Sequence, residues 1–484
     1  MKPRISGLLA IAAFVIVCPL SRAQTLAQIA PVETVLYSFE GGGDGGDPLA
    51  GLIADRRGAL YGTTKGAGPD CFDNTTTCGT VFKLTPPAKY QTAWTETVLY
   101  QFCALPSCSD GGISLAGLIA DTQGALYGTT GGGGAAGRGT VFKLMPPAKG
   151  QAAWTETVLY SFCSLPNCSD GDGPFRANLL ADAQGALYGT TIDGETGRLD
   201  GGTVFKLSPP SNGQTDWTET VLYSFCSLPN CSDGKGPIAS TLIADERGGL
   251  YGTTSAGGAT GNGTVFKLSP PSNGQTDWTE TVLYSFCSLP NCSDGSTPVS
   301  GLIFENQGAR DVEGHADAHH FADKHGALYG TTFSGGGVSN SGTIFKLAPP
   351  SKGQTDWTET VLYRFAGAPS DGHNPSGGLI ADRRGALYGT TEAGGAGQPG
   401  GGIVFKLALP AKHQTDWTET VLYDFCSLPN CSDGSGPQAG LIADKKGALY
   451  STTEGGGSER HGTVFKLDLR DRGFGSDPDR GGTE

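Results

Sequence analysis

Five pairs of cysteines at one spacing are the residues of this chain whose types and positions most suggest chemistry. The stretch FCSLPNCSDG occurs at 162–171, 225–234, 286–295 and 425–434, and FCALPSCSDG occupies 102–111. Two cysteines with four residues between them could bind a metal, form a redox couple or close a local disulfide. A redox site typically has a two-residue spacer and one active pair, and zinc needs four converging ligands. Repeated pairs in separate units therefore favour disulfides.

We predict that each pair forms a disulfide that pins its own loop. Closing so short a ring is worth about 2 kcal/mol in the chain-entropy model. A sixth pair lies in a glycine-rich stretch and is predicted to behave in the same way. The predicted disulfides are Cys103–Cys108, Cys163–Cys168, Cys226–Cys231, Cys287–Cys292, Cys426–Cys431 and Cys71–Cys78.

The aspartate of each SDG stretch is a second candidate for chemistry. A ring of carboxylates could bind calcium, which takes six to eight oxygen ligands. Aspartate before glycine is also the ordinary way to form a turn, since its side chain bonds to nearby amides. Both interpretations stay open, and calcium is the cofactor that these carboxylates suggest. The aspartates are Asp110, Asp170, Asp233, Asp294, Asp371 and Asp433, with Asp44 or Asp47 in the first copy.

Four of the seven histidines fall within one insertion, ARDVEGHADAHHFADKH. Imidazoles at this density could bind zinc, copper or nickel. The stretch FADKHGALYG also repeats IADKKGALYG, so the insertion could instead be a slipped duplication that forms a surface loop. The histidines are His315, His319, His320 and His325.

A tryptophan begins each WTET stretch and could stack on a sugar. Because it recurs unchanged at the start of a strand, we expect it to pack between repeats instead. The tryptophans are Trp94, Trp154, Trp217, Trp278, Trp357 and Trp417.

All of these residues sit in a repeat of about 62 residues that occurs seven times. Each unit contains four strand-like runs, GLIAD, ALYGTT, GTVFKL and WTETVLYSF, separated by turn sequences. The GLIAD run is apolar at consecutive positions, as in a strand buried on both faces. The chain is therefore predicted to be all-β, a seven-bladed β-propeller with four antiparallel strands per blade. A β-solenoid is the alternative.

The two ends of the chain predict how the ring closes. The last unit stops after GTVFKL, and the missing outermost strand is supplied by VETVLYSF at 32–39. We therefore expect a propeller over 32–467, with 32–39 completing blade 7. Residues 24–31 are a linker, and 468–484 form a polar tail that we expect to be disordered.

The stretches AGLIADRRGALYGTTKGAG and GTVFKL, with the preceding SDG and proline, resemble the exported bacterial tandem repeat called GloVer, of the choice-of-anchor proteins. The resemblance covers nearly the whole chain after the N-terminal segment. It implies no established activity and no catalytic residues. At the level of the fold, the chain is also similar to β-propellers built on D..G.LY hairpins, including lactonases.

Composition and the N-terminus indicate an exported protein. Residues 1–23 are predicted to be a signal peptide, because Lys2 and Arg4 precede an apolar run that ends at Ser21-Arg22-Ala23. Cleavage removes Cys18 and leaves twelve of the thirteen cysteines, an even number that favours disulfides. A formal net charge of −14 repels phosphate backbones and anionic lipids, so nucleic acid is not an expected partner. We expect no transmembrane segment and a secreted, periplasmic or cell-surface location.

The leading hypothesis for function is a monomeric, non-catalytic binding or scaffold module for a glycan or a protein. The ligand would bind on the face that carries the cysteine loops. Alternatives are a metal-dependent hydrolase similar to lactonases and a structural surface component. No G-x-S-x-G, H-E-x-x-H or nucleotide-binding glycine pattern stands out. The near-identity of the blades also argues against a catalytic site, which needs different residues to converge.

Overall fold

Seven four-stranded antiparallel sheets, one per repeat, form the blades of a seven-bladed β-propeller, as the repeat predicts. Blade 4 carries one added strand, described below. We number the blades in the chain order of their innermost strands. The computed structural model describes residues 31–66, 78–176, 178–194, 201–211, 214–238, 240–272, 275–305, 321–322, 326–397 and 400–469.

Each blade runs from the centre of the ring to its rim. The innermost strands are Ile53–Ala54, Ile119–Ala120, Leu180–Ala181, Ile243–Asp245, Ile303–Phe304, Ile380–Ala381 and Ile442–Ala443. The second strands are Leu60–Thr64, Leu126–Thr130, Leu187–Thr191, Leu250–Thr254, Leu328–Thr332, Leu387–Thr391 and Leu449–Thr453. The third strands are Thr80–Thr85, Thr140–Met145, Thr203–Ser208, Thr264–Ser269, Thr343–Ala348, Ile403–Ala408 and Thr463–Asp468. The outermost strands are Thr95–Gln101, Thr155–Ser161, Thr218–Ser224, Thr279–Ser285, Thr358–Arg364, Thr418–Asp424 and, for blade 7, Val32–Ser38.

Among the residues that the structure describes, only short elements lie outside the blades. Gly372–His373 pairs with Ala393–Gly394 in a two-stranded sheet. The only helical elements in the described part of the chain are short 3₁₀ turns in the cysteine loops. They span Pro106–Cys108, Pro166–Cys168, Pro229–Cys231, Pro290–Cys292 and Pro429–Cys431.

The innermost strands are shorter than the five-residue run GLIAD predicts. In blade 1 only Ile53 and Ala54 pair with the second strand. The chain turns at Asp55, whose carboxylate accepts the backbone N–H groups of Arg57 and Ala59, both at 2.9 Å. The aspartate therefore ends the strand by forming the turn to the next strand.

Aromatic pairs hold each blade to its neighbour. Phe102, at the end of the outermost strand of blade 1, meets Phe142 of blade 2 edge to face, with ring centroids 5.0 Å apart. The same pair recurs at all seven interfaces, at 4.9–5.3 Å. The glycine of LYGTT makes room for the ring, since a Cβ on Gly128 would lie 2.7 Å from Phe142. The six tryptophans pack against these same clusters, which confirms their packing role.

The N-terminal strand closes the ring as predicted. Val32–Ser38 runs antiparallel to Thr463–Asp468, the third strand of blade 7. Phe39 follows this strand and is completely buried. Val35, Leu36 and Tyr37 are only half-buried, because an outermost strand leaves one flank to solvent.

The insertion in the fifth repeat lies between the innermost strand Ile303–Phe304 and the second strand Leu328–Thr332. Its described residues, Phe321–Ala322, pair in parallel with the innermost strand Ile243–Asp245 of blade 4. The insertion therefore adds a fifth strand to the sheet of the preceding blade.

Candidate functional site

The cysteine loops and the glycine-rich loops that follow LYGTT lie together on one face of the propeller, which we call the loop face. In blade 2, the backbone N–H of Gly134 donates to the Cys108 carbonyl at 2.8 Å. The corresponding bond joins Gly258 to Cys231 in blade 4 at 2.9 Å. Backbone bonds of this kind tie each pair of loops into one unit.

Five of the six predicted disulfides are present. In each bridged loop both cysteines and the residue before the second one have positive φ, as at Cys226, Asn230 and Cys231. Backbone in this region is unfavourable for residues other than glycine, although asparagine tolerates it best. Cys71, and with it the predicted Cys71–Cys78 link, lies outside the described residues. The disulfides are Cys103–Cys108, Cys163–Cys168, Cys226–Cys231, Cys287–Cys292 and Cys426–Cys431.

Each SDG aspartate is buried and accepts several hydrogen bonds from its own loop. Asp233 accepts the Tyr223 hydroxyl at 2.9 Å, both the backbone N–H and the hydroxyl of Ser227, and the N–H of Leu228. In the first copy Asp44, rather than Asp47, has this role. These contacts match the turn-forming interpretation. Among the described residues no three histidine, cysteine or acidic side chains form a group that could hold a metal, and calcium at this ring stays a prediction.

The four histidines of the insertion, His315, His319, His320 and His325, lie outside the described residues. Their proposed role in binding a transition metal therefore stays a prediction.

The bridged loops also display an apolar side chain to solvent. A leucine precedes the proline of each loop, and 47–52% of its surface is exposed. Each leucine belongs to a different blade, so together they form separate points around the loop face. They are Leu105, Leu165, Leu228, Leu289 and Leu428.

The repeats disagree at one structurally equivalent position, the residue directly after LYGTT. Its backbone N–H donates to the loop that enters the innermost strand, as from Glu392 to Asn374 and from Glu454 to Gly436. All seven residues are partly buried. We call this set the mouth ring, and it comprises Lys65, Gly131, Ile192, Ser255, Phe333, Glu392 and Glu454.

A polar cluster from three blades lies at the mouth ring. The Arg176 guanidinium, in the loop before the innermost strand of blade 3, donates to Gln438 Oε1 in the loop of blade 7. Gln438 Nε2 in turn donates to Glu454 Oε2 at 2.6 Å. Burial lowers the pKa of Arg176, and the charges of Glu454 and Glu392 oppose that change. Burial and the charge of Glu454 raise the pKa of Glu392, whereas Arg176 lowers it.

Small residues line the ring just below this cluster. In five blades the residue before the innermost strand's leucine is glycine, and a Cβ on Gly51 would lie 3.6 Å from the Gly440 carbonyl of the adjacent blade. In blade 3 the position is Asn178, which accepts the N–H of Gly117 at 2.6 Å and donates to Thr241 at 2.9 Å. The floor of the mouth is therefore a tight ring of neighbouring strands.

Our sequence reasoning did not find this cluster. The cysteines and aspartates drew attention because they repeat, whereas the mouth ring is distinguished by not repeating. Two features of the sequence could have pointed to it. The residue after LYGTT (LYSTT in the last copy) varies among the repeats, and the stretch PFRANL is one residue longer than its counterpart PQAGL.

Comparison with known proteins places the chain in a family. In the part of the chain that the structure describes, no helix is long and apolar enough to cross a membrane. No curated protein sequence matches the chain. The sequence pattern described as the Gloeobacter/Verrucomicrobia repeat matches residues 24–167, 72–310 and 309–476.

Three solved structures are distantly similar. A proposed glycoside hydrolase from Parabacteroides distasonis is 11% identical, with a TM-score of 0.34, over 62% of this chain and 88% of its own. A proposed oxidoreductase (glucose dehydrogenase) from Thermus thermophilus is 15% identical, with a TM-score of 0.36, over 90% and 100%. A protein of unknown function from Dyadobacter fermentans is 12% identical, with a TM-score of 0.37, over 92% and 99%. These similarities are too distant to bear on function, but the repeat pattern spans nearly the whole chain, and the chain belongs to the Gloeobacter/Verrucomicrobia repeat family.

Proposed function

We propose that this chain is an exported, non-catalytic binding protein that takes a glycan at the mouth ring of its loop face. The observation that carries the proposal is the hydrogen-bonded cluster of Arg176, Gln438 and Glu454. It joins side chains of blades 3 and 7 at the mouth ring, the position where the otherwise similar blades supply different residues. Specific recognition of a small ligand needs such a set of different, convergent polar groups.

The chemistry of the mouth favours a glycan over a protein. Guanidinium, amide and carboxylate groups are planar and can each bond two adjacent hydroxyls. Ile192 and Phe333 of the mouth ring add apolar surface that could contact the C–H face of a sugar. A protein partner would instead need a continuous surface of roughly 800 Å² on this chain. The exposed leucines of the loop face lie on different blades, and this spacing does not favour a continuous apolar surface.

Export is supported by the disulfides. Five bridges in one chain are typical of an oxidising compartment. The predicted signal peptide, residues 1–23, lies outside the described residues. N-terminal sequencing of the protein recovered from the periplasm or medium should give Gln24 as the first residue, and recovery of an intact Met1 from the cytoplasm would contradict export.

Glycan binding can be tested directly. We expect the purified, oxidised protein to bind members of one glycan class on an array, and calorimetry with the best oligosaccharide to give a single site. Arg176→Ala and Glu454→Gln should each weaken binding by about tenfold or more, the loss expected when one or two hydrogen bonds to charged groups are removed. The matched control is Arg247→Ala, an exposed arginine on the opposite face.

Two results would overturn the proposal. One is an array on which no glycan binds above background. The other is a bound glycan whose affinity is equal in the wild type, Arg176→Ala and Glu454→Gln, which would place its site elsewhere.

A further inference from the structure

A carboxyl group with one buried oxygen that has no hydrogen-bond partner, on a partly buried side chain, recurs at every blade interface. It belongs to the glutamate of TET (VET in blade 7), the second residue of each outermost strand, and in all seven copies Oε1 is buried and unpaired. An ionised carboxylate buried without donors is strongly disfavoured. The seven glutamates are Glu33, Glu96, Glu156, Glu219, Glu280, Glu359 and Glu419.

Strand register shows which way these side chains point. Glu156 lies opposite Leu144 in blade 2, and residues that pair across an antiparallel ladder share one face of the sheet. Leu144 packs into the cluster that contains Val81 and Phe102 of blade 1. The glutamate of each blade therefore faces the preceding blade.

The groups that face each glutamate are the same around the ring. In the interface of blades 1 and 2 they are Asp110, the SDG aspartate, and Tyr100, whose hydroxyl donates to it. Charged groups beyond this pair occur twice, with Arg364 acting on Glu359 and Asp424 on Glu419. The aspartate–tyrosine pairs facing the other glutamates are Asp433 and Tyr423, Asp44 and Tyr37, Asp170 and Tyr160, Asp233 and Tyr223, Asp294 and Tyr284, and Asp371 and Tyr363.

The two carboxyl groups of an interface are unequal. Asp110 accepts the Tyr100 hydroxyl and the N–H groups of Ala104 and Leu105, so donors surround its charge. The buried oxygen of Glu156 has no such donors. A second negative charge beside the aspartate would therefore be unfavourable, and a protonated glutamate avoids it.

We propose that the seven glutamates make the blade interfaces a proton-dependent seam, in which each glutamate keeps a proton while the blades are packed and its loss loosens the ring. Burial first, and then the neighbouring aspartate, raise the pKa of Glu156 to about 7, and the pKa values of Glu219 and Glu280 to about 8. The same causes raise the pKa of the remaining four to about 7.

The direction of the pH effect follows from these pKa values. An unfolded glutamate titrates near 4.5, so between about pH 4.5 and pH 8 the folded chain holds protons that the unfolded chain has released. The stabilisation is fully present below pH 4.5 and is lost as the pH rises through 7 to 8. Seven equivalent groups act in the same direction, so the effect should be steep.

The test compares melting temperatures at pH 5.5 and pH 8.5, at fixed ionic strength, in the full oxidised protein. The wild type should melt at a clearly lower temperature at pH 8.5. Glu280→Gln, which cannot ionise, should remove about one seventh of that difference, and Gln at all seven positions should remove most of it. Glu246→Gln, an exposed glutamate of blade 4, is the matched control and should leave the difference unchanged.

An infrared measurement keeps the proposal testable if the sevenfold variant does not fold. The native protein at pH 6 should show the absorption band of protonated carboxyl groups, and the triple variant of Glu156, Glu219 and Glu280 to Gln should lose nearly half of it. Absence of this band at pH 6, or a wild type that melts no lower at pH 8.5 than at pH 5.5, would overturn the proposal.

Discussion

The seven loops that leave the outermost strands fall into two groups. Five contain a disulfide, and two, at 39–45 and 365–372, contain no cysteine. Both groups have the same anchor: Asp233 in a bridged loop and Asp371 in an unbridged one each accept a tyrosine hydroxyl at 2.9 Å. The anchor is therefore independent of the disulfide.

Both groups also close with the same backbone geometry. The residue that donates the loop-closing N–H has positive φ in every case, 59° at Cys226, 74° at Gly41 and 80° at Gly367. The unbridged loops use glycine at this point, which has no steric cost there. The bridged loops have a cysteine at this position. A positive φ is unfavourable for cysteine, and the stabilisation from the disulfide can offset that free-energy cost.

The two groups differ in length and in what they display. Asp110 follows Phe102 by eight residues, whereas Asp371 follows Phe365 by six. Only the longer, bridged loops display an exposed leucine before a proline. The comparison indicates that the fold needs the aspartate and the positive φ, and that the disulfide supports the extra length.

The largest effect is expected where blade 7 leads into its unbridged loop. A variant that begins at Gly41 lacks the strand Val32–Ser38 and the buried Phe39. Losing one large buried side chain costs about 1.5–3 kcal/mol, and the exposed edge of Thr463–Asp468 would invite aggregation. We expect lower yield and a melting temperature reduced by ten degrees or more in calorimetry. Equal melting of this variant and the full chain would mean that the ring does not depend on this strand.

Replacing the aspartate anchor should lower the free energy of unfolding in both groups of loops, and should lower it more where no disulfide also closes the loop. Asp371→Ala leaves a partly buried tyrosine hydroxyl and two backbone N–H groups without their acceptor, and should cost about 2–4 kcal/mol in denaturant unfolding. Asp233→Ala should cost less, because the bridge between Cys226 and Cys231 still closes its loop. A larger loss at Asp233 than at Asp371 would contradict this ranking.

The same aspartates test the calcium hypothesis. If calcium binds the SDG ring, Asp233→Asn combined with Asp294→Asn should reduce any rise in melting temperature that calcium produces. A calcium-dependent rise that is equal in this variant and in the wild type would exclude the loops as its site.

Removing one disulfide should have a smaller effect. Cys226→Ser with Cys231→Ser opens a ring of six residues, and the chain-entropy model gives a loss of about 2 kcal/mol. Unfolding by denaturant measures this loss, and peptide mapping without reduction should still recover the bridges of the other four cysteine loops. A change below a few tenths of a kcal/mol would show that Asp233 alone holds the loop.

The smallest effect is expected from replacing the glycine that donates the loop-closing N–H in an unbridged loop. Gly367→Ala places a Cβ on a residue with φ of 80° and should cost about 1–2 kcal/mol. Gly378→Ala is the control, since Gly378 has no positive φ and nothing within 4 Å of an added Cβ. Equal melting temperatures for the two variants would mean that the backbone at Gly367 relaxes.

Features that depend on neighbouring residues were predictable from the sequence. The blades, their strand order and the five bridges follow from runs, turns and pairs that lie within one repeat. The closing strand was also predictable, because it is recognisable as the piece missing from the last unit. The length of GLIAD was overestimated, since the effect of Asp55 on the turn depends on backbone geometry.

Features that depend on the curvature of the ring were not predictable. Arg176 and Gln438 are 262 residues apart, and the sequence around neither residue indicates that the two are in contact. The glutamate of TET alternates with threonines like an ordinary polar residue of a strand. Its burial results from the preceding blade, which no single repeat contains.

The strand that closes the ring must wait for its pairing partner during synthesis. Val32–Ser38 is synthesised before every blade, yet its partner Thr463–Asp468 is synthesised after all the others. Until then the first strand has no sheet edge with which to pair. Pairing these two strands closes a loop of more than four hundred residues, and forming so long a loop is slow. At high concentration, a second copy could donate its own Val32–Ser38 to the waiting edge. The same closure that completes a monomer therefore offers a route to domain-swapped dimers, which rapid refolding at high protein concentration should reveal.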